Sequence, residues 1–135
     1  MLKLANDGPL VMVDDNAGDL FFVERCYEAS RVPNPWLAFR RGSDFLAMLE
    51  QVKAGHSPMP ALVLLDLNMP GMNGLDVLST VRADSAFEQL PLFCVLTSSR
   101  DPRDEERAKR LGVSAFFTKA SHMDEYTAFF NALIA

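Results

Sequence analysis

The sequence predicts an α/β fold, a doubly wound parallel sheet of five strands covered on both faces by five helices. Three observations carry that prediction. Short apolar runs recur along the chain and stop at carboxylates, Leu10-Val11-Met12-Val13 before Asp14-Asp15 and Leu62-Val63-Leu64-Leu65 before Asp66. Segments with apolar residues at helical spacing lie between the runs. The length, 135 residues, suits one domain with a single core.

The elements follow in order. Leu10 to Val13 forms the first strand, and Asp19 to Ala29 the first helix, with Leu20, Val23 and Tyr27 on one face and Phe22 and Cys26 beside them. Pro33 and Pro35 stop that helix. Trp36 to Phe39 reads as a short second strand. Gly42 and Ser43 open a helix through Phe45, Leu46, Leu49 and Val52 that ends near Gly55. Ala61 to Leu67 is the central strand, closed by the turn residues Pro70 and Gly71. Gly74 to Arg82 follows as a helix with Leu75, Leu78 and Val81 inward, and Leu92 to Leu96 is the fourth strand. Asp101-Pro102 marks a helix start, an N-cap acid followed by proline in the first turn, and Gly112 supplies the C-terminal cap. Ala115 to Thr118 is the fifth strand. Ser121, with Asp124 three residues on, reads as the start of a last helix that buries Met123, Tyr126, Phe130, Leu133 and Ile134.

Composition narrows the function classes. The longest apolar stretch falls short of the roughly 18 residues of a membrane span, and Met1 to Asn6 lacks the apolar block of a signal peptide, so a cytoplasmic location is expected. A net charge of −5 argues against nucleic acid as partner. Arg100, Arg103, Arg107, Lys109 and Arg110 are interleaved with Asp101, Asp104, Glu105 and Glu106, the pattern of a solvated helix. Cys26 and Cys94 lie far apart inside apolar patterns and read as small buried hydrophobes. His56 and His122 stand alone, without neighbours at metal-binding spacing.

In a parallel sheet of this kind ligands bind outside the carboxyl ends of the strands, where strand order reverses. Asp14, Asp15, Asp66, Thr97 and Lys119 all fall at or just after strand ends, so they converge on one edge. Three carboxylates brought together raise one another's pKa, and a hard divalent cation removes the conflict. Mg²⁺ is held by one or two carboxylates plus phosphate oxygens and waters. Asp15 and Asp66 are expected to ligate it directly with the Asn68 carbonyl, and Asp14 through a water. Asp66 is also the candidate nucleophile that forms an aspartyl phosphate. Lys119 offers a point charge, and Thr97 a hydroxyl, to the phosphoryl oxygens.

These residues together resemble a bacterial response regulator receiver domain over nearly the whole chain. Asp14-Asp15 matches the family's acidic pair, Asp66 its phosphoacceptor, Thr97 its hydroxyl position, Phe116 its aromatic switch position and Lys119 its lysine. Asn68-Met69-Pro70 followed by Gly74 resembles the loop of chemotaxis-type regulators, as do the spacings of 19 residues from Thr97 to Phe116 and 22 from Thr97 to Lys119. The resemblance implies a flavodoxin-like sheet of order 2-1-3-4-5, phosphorylation on Asp66 by a histidine kinase or histidine phosphotransfer protein, and Mg²⁺ as cofactor.

Two residues depart from the family pattern. Ala120 follows Lys119 where the family has proline in a cis peptide, and a non-proline cis bond costs about 2.5–4 kcal/mol. A trans bond, or a strained cis one, is therefore expected. The segment Thr118-Lys119-Ala120-Ser121 is similar instead to stand-alone regulators that partner phytochrome-type kinases. Phe116 stands where many members have tyrosine; it can turn inward but lacks the phenolic hydrogen bond.

The resemblance also implies a switch. Thr97 moves to the phosphoryl group and Phe116 fills the space it leaves. With the chain ending at Ala135, no output domain is expected. Output is then expected through a downstream protein or a homodimer on the face of the fourth helix, fifth strand and last helix, where Phe117 and Phe129 lie. A phosphorylation-independent binding module is disfavoured by the intact acids, threonine and lysine. A metal-dependent phosphatase is disfavoured by Asn68, which takes the place of a second acid.

Overall fold

The computed structural model describes every residue except Met1, Gln89 and Pro91. Its strands are β1 (Leu10–Val13), β2 (Trp36–Phe39), β3 (Leu62–Leu65), β4 (Phe93–Thr97) and β5 (Ala115–Thr118). Its α-helices are α1 (Ala17–Glu28), α2 (Gly42–Lys53), α3 (Gly74–Arg82), α4 (Pro102–Arg110) and α5 (Met123–Ala132). All neighbouring strands pair in parallel, in the order β2-β1-β3-β4-β5. A one-turn 3₁₀ segment, Ser85–Phe87, which the sequence pattern did not announce, buries Phe87 between α3 and β4.

The two-residue period of the strands divides the core into halves. Val11, Val13, Val63, Leu65, Phe93 and Val95 face Phe45, Leu49, Val77, Leu78, Val81 and Ala108, under α2, α3 and α4. Leu10, Met12, Leu62, Leu64, Cys94 and Leu96 face Leu20, Val23, Cys26, Tyr126, Phe130 and Leu133, under α1 and α5. Strands β1, β3 and β4 are therefore buried on both sides, which is why they read as unbroken apolar runs. The edge strands β2 and β5 are only half covered. Both cysteines are buried and unpaired, and burial pushes the Cys94 thiol up to about 12.

Several boundaries differ from the sequence pattern for local reasons. Helix α1 starts earlier, at Ala17, because the Asn16 side chain accepts the Asp19 N–H at 3.0 Å and caps it. Helix α4 has the expected cap, with Asp101 Oδ1 accepting the Arg103 N–H at 2.9 Å, and Gly112 takes φ +78° just past its end. Ser121 does not cap α5; the N-cap is His122, whose side chain makes no capping bond. Met123 and Ile134, expected inside, are 40% and 42% exposed. Met123 opens α5 one turn ahead of its first packed residue, and Ile134 lies past the helix end at Ala132, where the helical phase no longer holds.

Candidate functional site

Backbone hydrogen bonds set the acids at the sheet's edge. The Asp14 N–H donates to the Phe39 carbonyl at 3.0 Å and the Asp66 N–H to the Val13 carbonyl at 2.9 Å, each continuing a parallel ladder by one residue. The Lys119 N–H donates to the Thr97 carbonyl at 2.8 Å, which fixes the lysine beside the end of β4. After Asp66 the chain turns tightly back into α3. A Cβ on Gly74 would lie 2.3 Å from the Asp66 carbonyl oxygen, so only glycine allows the approach.

The side chains converge as the sequence implied. Asp14, Asp15 and Asp66 each offer an oxygen within 4.8 Å of the others. Lys119 Nζ lies 2.8 Å from Asp14 Oδ2 and 3.3 Å from Asp66 Oδ2. Thr97 is fully buried, and its Oγ1 accepts the Ser99 N–H at 3.2 Å and faces Asn68 Nδ2 at 3.4 Å. Asn68 is exposed beside the acids, its N–H donating to Asp66 Oδ1 at 3.2 Å. Phe116 is half-buried on β5, opposite Val95, and packs on the α2–α4 side of the sheet. Of the three acids, Asp15 lines a cleft of about 810 Å³, together with Phe39, Arg40, Arg41, Pro70 and Met72.

Asp19 is the residue that the sequence pattern did not place here. From the first turn of α1 its Oδ2 reaches Lys119 Nζ at 2.7 Å, a tighter contact than the one to Asp66. A lysine a hundred residues away leaves no sequence signal, and an acid in a first helical turn has its own local explanation.

Electrostatics favour a cation. Burial pushes the Asp14 carboxyl above the usual carboxylate range, and the Asp66 charge adds to it against the opposing pull of Lys119. Burial pulls the Lys119 ammonium down, but contacts with Asp14 and Asp19 outweigh it and raise its pKa above the ordinary lysine value. Asp14 Oδ2 is buried, and the Lys119 ammonium 2.8 Å away is its partner. Three clustered carboxylate oxygens, with a single ammonium among them, fit a hard divalent ion.

The response regulator receiver domain family matches residues 10–131. This chain belongs to that family. It is 28% identical over 117 residues to response regulator Rcp1 of Synechocystis sp., covering 86% of this chain and 79% of the relative. The crystal structure of the Mn²⁺-bound form of Rcp1 superposes with a TM-score of 0.79 at 25% identity, covering 93% of this chain and 90% of that one. The phosphorylated cyanobacterial phytochrome response regulator RcpA does so with a TM-score of 0.80 at 25% identity, covering 93% and 89%. Receiver domains are signalling phosphoacceptors rather than classical enzymes. They take phosphate from histidine kinases or phosphotransfer proteins and bind Mg²⁺ or Mn²⁺ in an acidic pocket.

The Lys119–Ala120 peptide is trans, as no described bond is cis. The Ala120 N–H, which proline would lack, donates to Tyr126 Oη at 2.9 Å and ties the loop after β5 to α5. Among the described residues no helix is long and apolar enough to cross a membrane.

Proposed function

We propose that this receiver is a Mg²⁺-dependent switch that accepts a phosphoryl group on Asp66 and signals through protein contacts. The carrying observation is Asp66 itself, a buried carboxylate beside the Lys119 ammonium and two further acids. An Asp66 oxygen bonds to phosphorus as the bond from phosphorus to the donor's imidazole nitrogen breaks, and that nitrogen keeps the electron pair. Bound through Asp15, Asp66 and the Asn68 carbonyl, with Asp14 acting through water, Mg²⁺ would neutralise charge on the phosphoryl oxygens. Lys119 supplies a point charge to one of those oxygens and the Thr97 hydroxyl donates to another.

Switching follows from the bonds Thr97 gives up. Its Oγ1 holds the Ser99 N–H, and Ser99 Oγ donates to Asp104 Oδ2 on α4 at 2.7 Å. Drawing Thr97 to the phosphoryl group loosens that chain, and Phe116 turns into the space behind it. The face of α4, β5 and α5 then carries the signal to a downstream partner or a second copy. Phe117 and Phe129 sit half-buried there with ring centroids 5.2 Å apart. This reading puts its work in the cytoplasm, on the same side as the phosphodonor, and makes its own chemistry limited to gaining and losing the phosphoryl group.

Intact mass after incubation with Mg²⁺ and acetyl phosphate tests the proposal. Wild type is expected to gain one phosphoryl group and Asp66→Asn none. A folded, Mg²⁺-loaded wild type that gains nothing from either acetyl phosphate or a panel of phosphorylated histidine kinases would overturn it in favour of a phosphorylation-independent module.

A further inference from the structure

Lys119 has three carboxylate partners, and they are not equivalent. Asp14 and Asp66 belong to the cluster of oxygens that fits a divalent ion; Asp19 does not. Once that ion is bound, Asp14 and Asp66 have a doubly charged cation to serve, and the ion repels the ammonium beside it. A lysine on a flexible four-carbon stem would then swing towards solvent. Asp19 is the partner that keeps no other cation.

Its position is built from the site outward. Asp14 Oδ1 accepts the Asn16 N–H at 2.9 Å, and Asn16 Oδ1 accepts the Asp19 N–H at 3.0 Å, so the start of α1 is tied to the buried acid. On the other side the Ala120 N–H bond to Tyr126 fixes the residue after the lysine. The ammonium is thus held between α1 and the acids at the ends of β1 and β3, 15% exposed, with its shortest contact to Asp19.

We propose that Asp19 is a positioning residue for Lys119. It holds the ammonium within reach of Asp66 while the divalent ion is bound, and in the metal-free protein it shares the ammonium with Asp14 and Asp66, so that the ion displaces it from them more readily. The phosphoryl-transfer role of that lysine rests on the reading of Asp66 given above; its effect on metal binding does not.

A double-mutant cycle separates this role from a local one at the helix start. Mg²⁺ affinity is measured by calorimetry on unphosphorylated wild type, Asp19→Asn, Lys119→Met and the double variant, each checked for folding by thermal melt. With Lys119 present, Asp19→Asn is expected to weaken Mg²⁺ binding by about tenfold; with methionine there, only the screened through-space charge remains, about twofold. Phosphorylation of Asp19→Asn by acetyl phosphate at saturating Mg²⁺ is expected to slow about fivefold, since a displaced ammonium costs rate rather than donor affinity. The same loss of Mg²⁺ affinity in both lysine backgrounds, or no loss in either, would overturn the proposal. Coupled Mg²⁺ binding in a protein that accepts no phosphoryl group would support it while removing the reading of Asp66.

Discussion

Asp14 shows how one residue records the purpose of the site. It is fully buried and carries a charge that burial and Asp66 both oppose. Its folded-state pKa lies above the ordinary 3.8, so the ionised form destabilises the metal-free fold. A raised pKa contributes stability below the unfolded value and loses it as pH rises through the folded value. Asp14→Asn keeps an oxygen to accept the Asn16 N–H and removes the charge. The metal-free variant is therefore expected to melt above wild type at neutral pH. The gap should close only as pH falls below 3.8, where Asp14 is protonated in both states. Melts in EDTA across that range check this, and a gap independent of pH would contradict it. The sequence announced Asp14, Asp66, Thr97 and Lys119 because each ends an apolar run or follows one. Asp19 left no such mark, since its partner comes from the other end of the chain.

At the scale of elements, the tight return from β3 into α3 sets the geometry of the acids. Gly74 makes it possible, its N–H donating to the Leu67 carbonyl at 3.0 Å while its Cα faces the Asp66 carbonyl. Gly74→Ala places a methyl against backbone on two residues, 2.3 Å from the Asp66 oxygen and 2.6 Å from Leu67 Cα, and backbone cannot rotate away. The expected cost is about 1–3 kcal/mol, read as a lower denaturation midpoint at unchanged slope. The same shift displaces the Asn68 loop, so Mg²⁺ affinity falls with it. Strand and helix identities were legible here because β1, β3 and β4 are sandwiched between helices, which forces apolar residues at every position. Element ends were less legible. The cap of α1 depends on an Asn16 side chain turned to an N–H three residues on, and the exposure of Met123 and Ile134 depends on where α5 begins and stops against the sheet.

For the whole molecule, the site sits where the strand order reverses, between β1 and β3, whose chain connections leave in opposite directions. Asp14 and Asp15 follow β1, Asp66 follows β3, and Lys119 follows β5 with its backbone on the end of β4. One ion held by those acids would therefore clamp β1 to β3, strands whose acids lie at residues 14, 15 and 66. The folded state would bind it while the unfolded chain scatters its ligands, so binding would add directly to global stability. At a Mg²⁺ concentration a hundred times its dissociation constant the gain is about 2.7 kcal/mol. Wild type is expected to melt several degrees higher in Mg²⁺ than in sodium chloride of equal ionic strength, with the increment growing logarithmically with Mg²⁺. Asp15→Asn, which removes a half-exposed acid of the cluster and no core contact, should lose most of that increment while melting like wild type in EDTA. A rise equal in both salts would mean that general screening of the −5 charge, and not a bound ion, stabilises the fold.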